Sequence, residues 1–269
     1  MIHTFSNILL IAVTEIKRML VTRKGLISLA AFLLVWLLLL AVIIQRAPSL
    51  IANGSILGSV FESQAIRSLT QWSAPEFGAY WFIALYLFPL CCVAFAADQT
   101  ASDRTRGTLK LLTLHTSRAS IFLGRFTGLM MVQGILIMLT LISTLVVVAL
   151  RDTTLLPQSI SDMFYIWVNL MIVIAPYTGL MALISLFAKS GMQALNYAAI
   201  LWILIWFAIY WLSSRFPEAT ALKSIFPGSQ VSELVKYNNW SSLPTTVTPA
   251  VQTVVFLIAG LFLMRRIDL

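Results

Sequence analysis

Six runs of sequence, about residues 26–45, 78–97, 126–150, 163–188, 192–213 and 245–264, carry no Asp, Glu, Lys or Arg over stretches that reach or approach twenty residues. Crossing a hydrocarbon layer of ~30 Å takes about 20 apolar residues at the rise of an α-helix. Inside that layer every backbone N–H and C=O needs a partner, so only helices and closed barrels can span it. Runs such as LAAFLLVWLLLLAVII are apolar on every side and do not alternate, which rules against a barrel. The sequence therefore predicts an all-α membrane protein of six transmembrane helices. Charged residues make up 10% of the 269 residues and the mean hydropathy is +0.92, too little charge to cover a water-facing surface. About 25 residues precede the first run and no small-residue cleavage pattern closes it, so it is expected to stay in the chain as a span.

The positive-inside rule sets the expected orientation. Lys17, Arg18, Arg23 and Lys24, then Arg104, Arg106, Lys110, Arg118 and Arg125, then Lys189, and last Arg265 and Arg266 fall on one side. Arg46, Arg67, Arg151, Arg215, Lys223 and Lys236 fall on the other. Both termini are thus expected in the cytoplasm and the chain in the cytoplasmic (inner) membrane. The net charge of +8 reads as topology and contact with anionic lipid, with no nucleic-acid partner. Trp72, Trp81, Trp167, Trp211 and Trp240 fall at predicted outer boundaries, where indole rings favour the interface.

Before the first span, Phe5, Ile8, Leu9, Ala12, Val13, Ile16, Met19 and Leu20 recur at helical spacing, with Thr14, Glu15, Lys17 and Arg18 between them. That pattern predicts an interfacial amphipathic helix over 3–22, with those four polar residues on its wet face. Two outer loops, 46–77 and 214–248, are longer than connection requires. The first holds an expected short helix around SVFESQAIRSLTQW, the second an amphipathic piece near SQVSELVKY and Pro244. The loops suit a passive lid over the helix ends as well as three active roles: capping a path, re-entering the membrane edge, or docking an extracytoplasmic partner. Pro249 sits at the head of the sixth run, where a first helical turn tolerates proline.

Catalytic residues are not found. The two histidines, His3 and His115, lie outside the spans, so no intramembrane histidine can activate a serine or hold a metal or haem. No ionisable Asp, Glu, Lys or Arg lies within the proposed spans, which argues against an ion-driven carrier. Among uncharged polar residues, Gln133, Thr140, Asn169, Tyr177 and Asn196 are candidates to line a translocation path, although hydrogen bonds between helices use the same residue types. Gly124 and Gly128 form a small-xxx-small pair suited to close packing.

The polar segment 98–125 between the second and third runs is the remaining candidate. It carries Asp98, Asp103, Arg104, Arg106 and Gly107, then Thr108, Leu109, Leu111, Leu112 and Leu114, and closes with Ser117, Arg118, Gly124 and Arg125. A short helix with an apolar ridge and a basic flank is expected there. In order and placement it resembles the cytoplasmic coupling segment of ABC transporter permeases of the type 2 exporter class: an acid, Gly-Thr-Leu, a leucine pair, Ser-Arg, and an apolar stretch ending in Gly-Lys or Gly-Arg. One departure is His115, where that class commonly has proline. Within the class it is most similar to permeases of the nitrous-oxide-reductase maturation type.

The resemblance implies a permease subunit of an ATP-driven exporter that pairs with a second permease chain, as a homodimer or heterodimer. Two cytoplasmic ABC ATPase subunits would bind beneath. The chain has no GxxxxGK[ST] phosphate loop, so ATP and Mg belong in the partner ATPase, and this chain binds no cofactor or metal and is no enzyme by itself. Asp103, Arg104, Arg106, Gly107, Thr108, Leu109, Leu112 and Arg118 are the residues that the resemblance assigns to coupling. A membrane scaffold for an extracytoplasmic maturation complex is the alternative. An apolar bundle suits a lipidic, peptide or amphipathic cargo better than a highly charged one.

Overall fold

The computed structural model describes residues 2–49, 72–105, 107–215 and 226–266. Of these, 87% are helical, and no strand occurs among the described residues. Helix α1 spans Ile2–Val21, and Thr22 caps α2 (Arg23–Leu39) by accepting from the Gly25 N–H. A π-turn, Leu40–Ile44, carries α2 on. The short helix expected near 59–72 lies almost wholly outside the described residues.

Helix α3 is Pro75–Ala96, and two short helices follow, α4 (Ala101–Thr105) and α5 (Thr108–His115). Then come α6 (Arg118–Arg151), α7 (Leu156–Ser185) and α8 (Gly191–Arg215), the single turn α9 (Val231–Leu234), and α10 (Leu243–Arg266). Six of these segments are long and apolar enough to cross a membrane, those built on α2, α3, α6, α7, α8 and α10.

The helices outrun the apolar runs. Helix α6 starts at Arg118, where the Ser117 hydroxyl accepts from the Ser120 N–H, and its 34 residues span about 50 Å, well beyond the ~30 Å hydrocarbon layer. Pro157 sits in the first turn of α7, which begins at Leu156. Pro249 does not head the sixth span but lies inside α10, and the second residue of that helix, Pro244, takes the first-turn position.

This extra length adds charged residues at the helix ends, outside the apolar runs, and several of them are paired. Fully buried Glu76 pairs with Arg151 Nε at 2.7 Å, Asp162 accepts from the Ser73 hydroxyl, and Arg125 sits between carboxylates.

Helix α7 is the centre of the bundle, packing on α3, α6 and α10. Its buried face includes Ile166, Leu170, Val173 and Ile174, all fully buried. Trp72 and Trp81 are core residues and not interface anchors: their rings and that of Tyr165 pack mutually at 5.8–6.2 Å, and the Trp81 indole N–H donates to the Leu234 carbonyl at 3.2 Å. That bond holds α9, the structured part of the expected amphipathic piece, on α3. Val231 and Leu234 face inward while Glu233 and Lys236 pair in solvent.

Helix α1 runs along α6, its main partner. The small-xxx-small pair makes this possible: a Cβ on Gly124 would stand 2.8 Å from the Ile11 Cβ, and one on Gly128 would stand 2.9 Å from the Ala12 carbonyl and 2.8 Å from the Glu15 Cβ. The faces of α1 differ from the expected ones. Ala12 and Glu15 are buried against the glycines, whereas Leu9, Leu10, Val13 and Leu20 point outward. The small residues Gly124, Gly128 and Ala12 permit this close approach, and Ile11 packs over Gly124 beside them.

Candidate functional site

The polar end of the bundle gathers around the segment between α3 and α6. Gly107 takes a left-handed conformation, φ 72°, that only glycine adopts without strain, and this lets the chain turn sharply from α4 into α5. A Cβ there would meet nothing within 4 Å, so the constraint is the backbone itself. The Thr108 hydroxyl donates to Asp103 Oδ1 at 3.1 Å and lies 3.2 Å from the Asp103 carbonyl. Asp103 thereby pins the start of α5 across the turn.

Helix α5 is divided along its length. Leu109 is buried with Ile121, Phe122, Ala182, Leu186 and Met264, joining α5 to α6, α7 and α10. Leu111, Leu112 and Leu114 are 64%, 40% and 77% exposed, and Lys110 is exposed beside them. One leucine anchors the helix and three are presented outward.

Arg118 faces inward. Its Nη1 donates to the main-chain carbonyls of Met264 and Arg265 at 3.3 and 3.2 Å, where the last turn of α10 carries unmatched acceptors and the negative end of the helix dipole. Thr105 donates to the Lys189 carbonyl at 2.6 Å, so the turn between α7 and α8 joins the same end.

An ion network lies behind α5. Arg125, 3% exposed, donates to the Gln99 carbonyl at 2.7 Å and to Asp103 Oδ2 at 2.5 Å, and its Nε lies 3.6 Å from Glu15 Oε1. Arg18 reaches Asp103 at 3.5 Å and Asp98 at 4.0 Å, and Lys24 reaches Asp98 at 4.0 Å. Burial pushes the Glu15 carboxyl above its ordinary range, and the Arg18 and Arg125 guanidinium groups pull it back.

Of the residues assigned to coupling from the sequence, Asp103, Gly107, Thr108 and Leu109 form the turn and its anchor, Leu112 is presented outward, and Arg118 grips α10. Arg104 belongs to α4, but its side chain is outside the described residues, as is all of Arg106. Glu15, Arg18, Leu111 and Leu114 are not among the residues that the resemblance assigns to coupling, and Arg125 enters it only as the end of the motif. A signal for Glu15 was present: residues 8, 11, 12 and 15 share one helical face, so Glu15 continues a ridge of apolar residues.

The five polar residues proposed for a path separate into two groups. Gln133 accepts from the Thr178 hydroxyl at 3.0 Å, Thr140 meets Tyr80 Oη at 2.9 Å, and Asn169 accepts from the Ser242 hydroxyl at 3.0 Å, all between buried helices. Tyr177 and Asn196 instead line an open groove of about 740 Å³ between α3 and α8. Its walls include Leu85, Pro89, Leu90 and Val93 on one side and Leu195, Ala198, Ala199 and Trp202 on the other. The outer chain closes one end: Phe226 packs on Trp202 at 4.3 Å, and Gly228, φ 98°, sits so close to Tyr177 that a Cβ would stand 2.2 Å from the phenol oxygen. Among the described residues no group of three or more His, Cys, Asp or Glu could hold a metal ion.

A family model described as ABC-2 family transporter protein matches residues 9–265, from the second turn of α1 to the last turn of α10. The chain belongs to the ABC-2 family of transporter proteins. It is thus a multi-pass membrane protein and the membrane component of an ABC transporter, a family whose permeases work with an ABC ATPase. The match begins within α1, so that helix is part of the permease unit. No curated protein matches the chain.

Proposed function

We propose that this permease belongs to an ATP-driven exporter of the inner membrane, in which a separate cytoplasmic ATPase, holding ATP and Mg, docks on α5 and drives translocation. The observation that carries the reading is the division of α5: Leu109 is locked into the bundle while Leu111, Leu112 and Leu114 stand outward beside Lys110 on a helix fixed at its start by Asp103. An exposed apolar ridge on a rigid helix in a polar region suits an apolar cleft in a partner protein. Both termini are cytoplasmic in this arrangement, and the outward apolar face of α1 rests in the inner leaflet. A second permease chain meets the apolar face of α8, whose side chains are mostly exposed. Among the described residues, the lining of the groove beside Tyr177 and Asn196 carries no charge, which suits an amphipathic or lipidic cargo.

The experiment is co-expression with an ABC ATPase encoded beside this chain, affinity purification through the permease, and ATP turnover in lipid. The ATPase is expected to co-purify and to be stimulated by the permease. The double variant Leu111→Asp/Leu114→Asp is expected to lose it while keeping its helical circular dichroism. Retention of the ATPase by that variant would overturn docking on α5, and binding without any response to nucleotide would favour a membrane scaffold.

A further inference from the structure

The ion network behind α5 joins three parts of the chain that are far apart in sequence. Glu15 comes from α1, Asp103 from α4 and Arg125 from the second turn of α6. Arg125 is almost fully enclosed, and two carboxylates and a carbonyl converge on its guanidinium group. A fork with five donors can hold two carboxylates in different directions at once, which the single ammonium of lysine does less well.

Burying such ions adds little to stability as a rule, because desolvation offsets most of the attraction. Geometry is what the group specifies. Gly128 is bare where the Glu15 side chain descends, so the approach of α1 to α6 that the glycines permit is the approach that lets Glu15 reach Arg125. Asp103 in turn receives both Arg125 and the Thr108 hydroxyl on its two oxygens, which ties the guanidinium group to the first residue of α5.

We propose that Arg125 is a positioning residue that makes α1, α6 and the turn before α5 one mechanical block, so that displacement of α5 is delivered to the membrane through α6 and α1. The inference rests on the reading that an ATPase acts on α5. Without the ionic tie, α5 still presents its outward leucines, but its movement is taken up in the Gly107 turn, where even an added Cβ would meet nothing within 4 Å.

The test removes the three charges together, so that none of the three positions is left as a buried unpaired charge. Glu15→Gln, Asp103→Asn and Arg125→Met are combined in a background where Cys91 and Cys92 are alanine. Spin labels are placed at Leu150→Cys and Ser214→Cys, near the far ends of α6 and α8, and distances are measured in the permease–ATPase complex with ADP and with ATP plus vanadate.

The parent is expected to shift between two distances with nucleotide. The triple variant is expected to keep the thermal midpoint and the bound ATPase of the parent, with the nucleotide-dependent shift in the equilibrium reduced about tenfold. A shift of full size in the triple variant would overturn the inference, and so would loss of the ATPase, which would make the network part of the docking surface. A parent that binds the ATPase but shows no shift would overturn the coupling reading itself. Should the triple variant fail to fold, Asp103→Asn alone keeps an acceptor for Thr108 and is expected to reduce the shift; an unreduced shift there counts equally against the role of Arg125. Arg125→Lys, which can reach one carboxylate at a time, is expected to fall between the parent and the triple variant.

Discussion

Helices α7 and α8 follow one another in the chain and have the same mean hydropathy, 1.8 over their most apolar windows, yet 72% of that window is buried in α7 and 6% in α8. Hydropathy therefore reports that a helix can live in lipid and says nothing about whether protein or lipid surrounds it. The difference lies in what each helix offers its neighbours. Helix α7 places Asn169 and Thr178 against groups on other helices, and Gly179 admits Phe256 of α10 to within 3.5 Å of a would-be Cβ. Helix α8 points Ile203, Leu204, Trp206, Phe207 and Tyr210 outward and touches the bundle through Ala194, Ala198 and Trp202. Inter-helix packing in lipid rests on close fit and hydrogen bonds, because there is no water to exclude, and only α7 has both.

The comparison would break most clearly at Ile174, which is fully buried in α7. Ile174→Ala is expected to lower unfolding stability in lipid by about 2 kcal/mol, mostly through lost packing, measured by steric trapping or denaturant titration. A loss near zero would mean that α7 is no more a core helix than α8. Thr178→Val removes the hydrogen bond to Gln133 with little change of shape, and a smaller loss of about 0.6 kcal/mol is expected in the same assay.

Ile203→Ala on α8 sharpens the other side. Ile203 is 66% exposed, so the stability of a single chain is expected to change by less than about 0.5 kcal/mol. If a second permease packs on this face, the same variant lowers the dimer fraction seen by single-molecule photobleaching at dilute protein-to-lipid ratios. An unchanged dimer fraction would assign that face to lipid.

The smallest effect concerns α1, which shows lipid-compatible residues outward as α8 does but is pinned through Glu15. Because burial raises the folded pKa of Glu15, its titration favours folding below the ordinary value of 4.5 and this contribution fades as pH rises through the raised value. Glu15→Gln is expected to flatten the pH dependence of the thermal midpoint between about pH 4.5 and neutrality, seen by differential scanning fluorimetry. Identical slopes for the two proteins would place Glu15 in water.

The sequence conveys the membrane-spanning character of the helices better than their partners. The six spans are legible because the absence of charge over a membrane's thickness has few other meanings. The start of α6 at Arg118 is not, because a helix in water and a helix in lipid share one backbone and only composition changes between them. In sequence Glu15 reads as a wet residue because its charge weighs more than its register with Ile8, Ile11 and Ala12. The short helix after Gly107 is legible in the sequence, whereas the left-handed turn before it is not, because Gly107 stands out there only through the Gly-Thr-Leu resemblance. The inward course of Arg118 is not legible either, since its acceptors are main-chain carbonyls nearly 150 positions away. A carbonyl is present at every residue and marks no position in a sequence.

That grip of Arg118 on α10 has a practical consequence. The last helix ends against the first residue of α6, and Met264 shares a cluster with Leu109 of α5. A tag, truncation or cleavage near residues 264–266 would thus be felt about 150 positions earlier in the sequence, beside the outward leucines of α5. Fusions for purification belong elsewhere, because the tail of α10 is a stop against which the short helix is set.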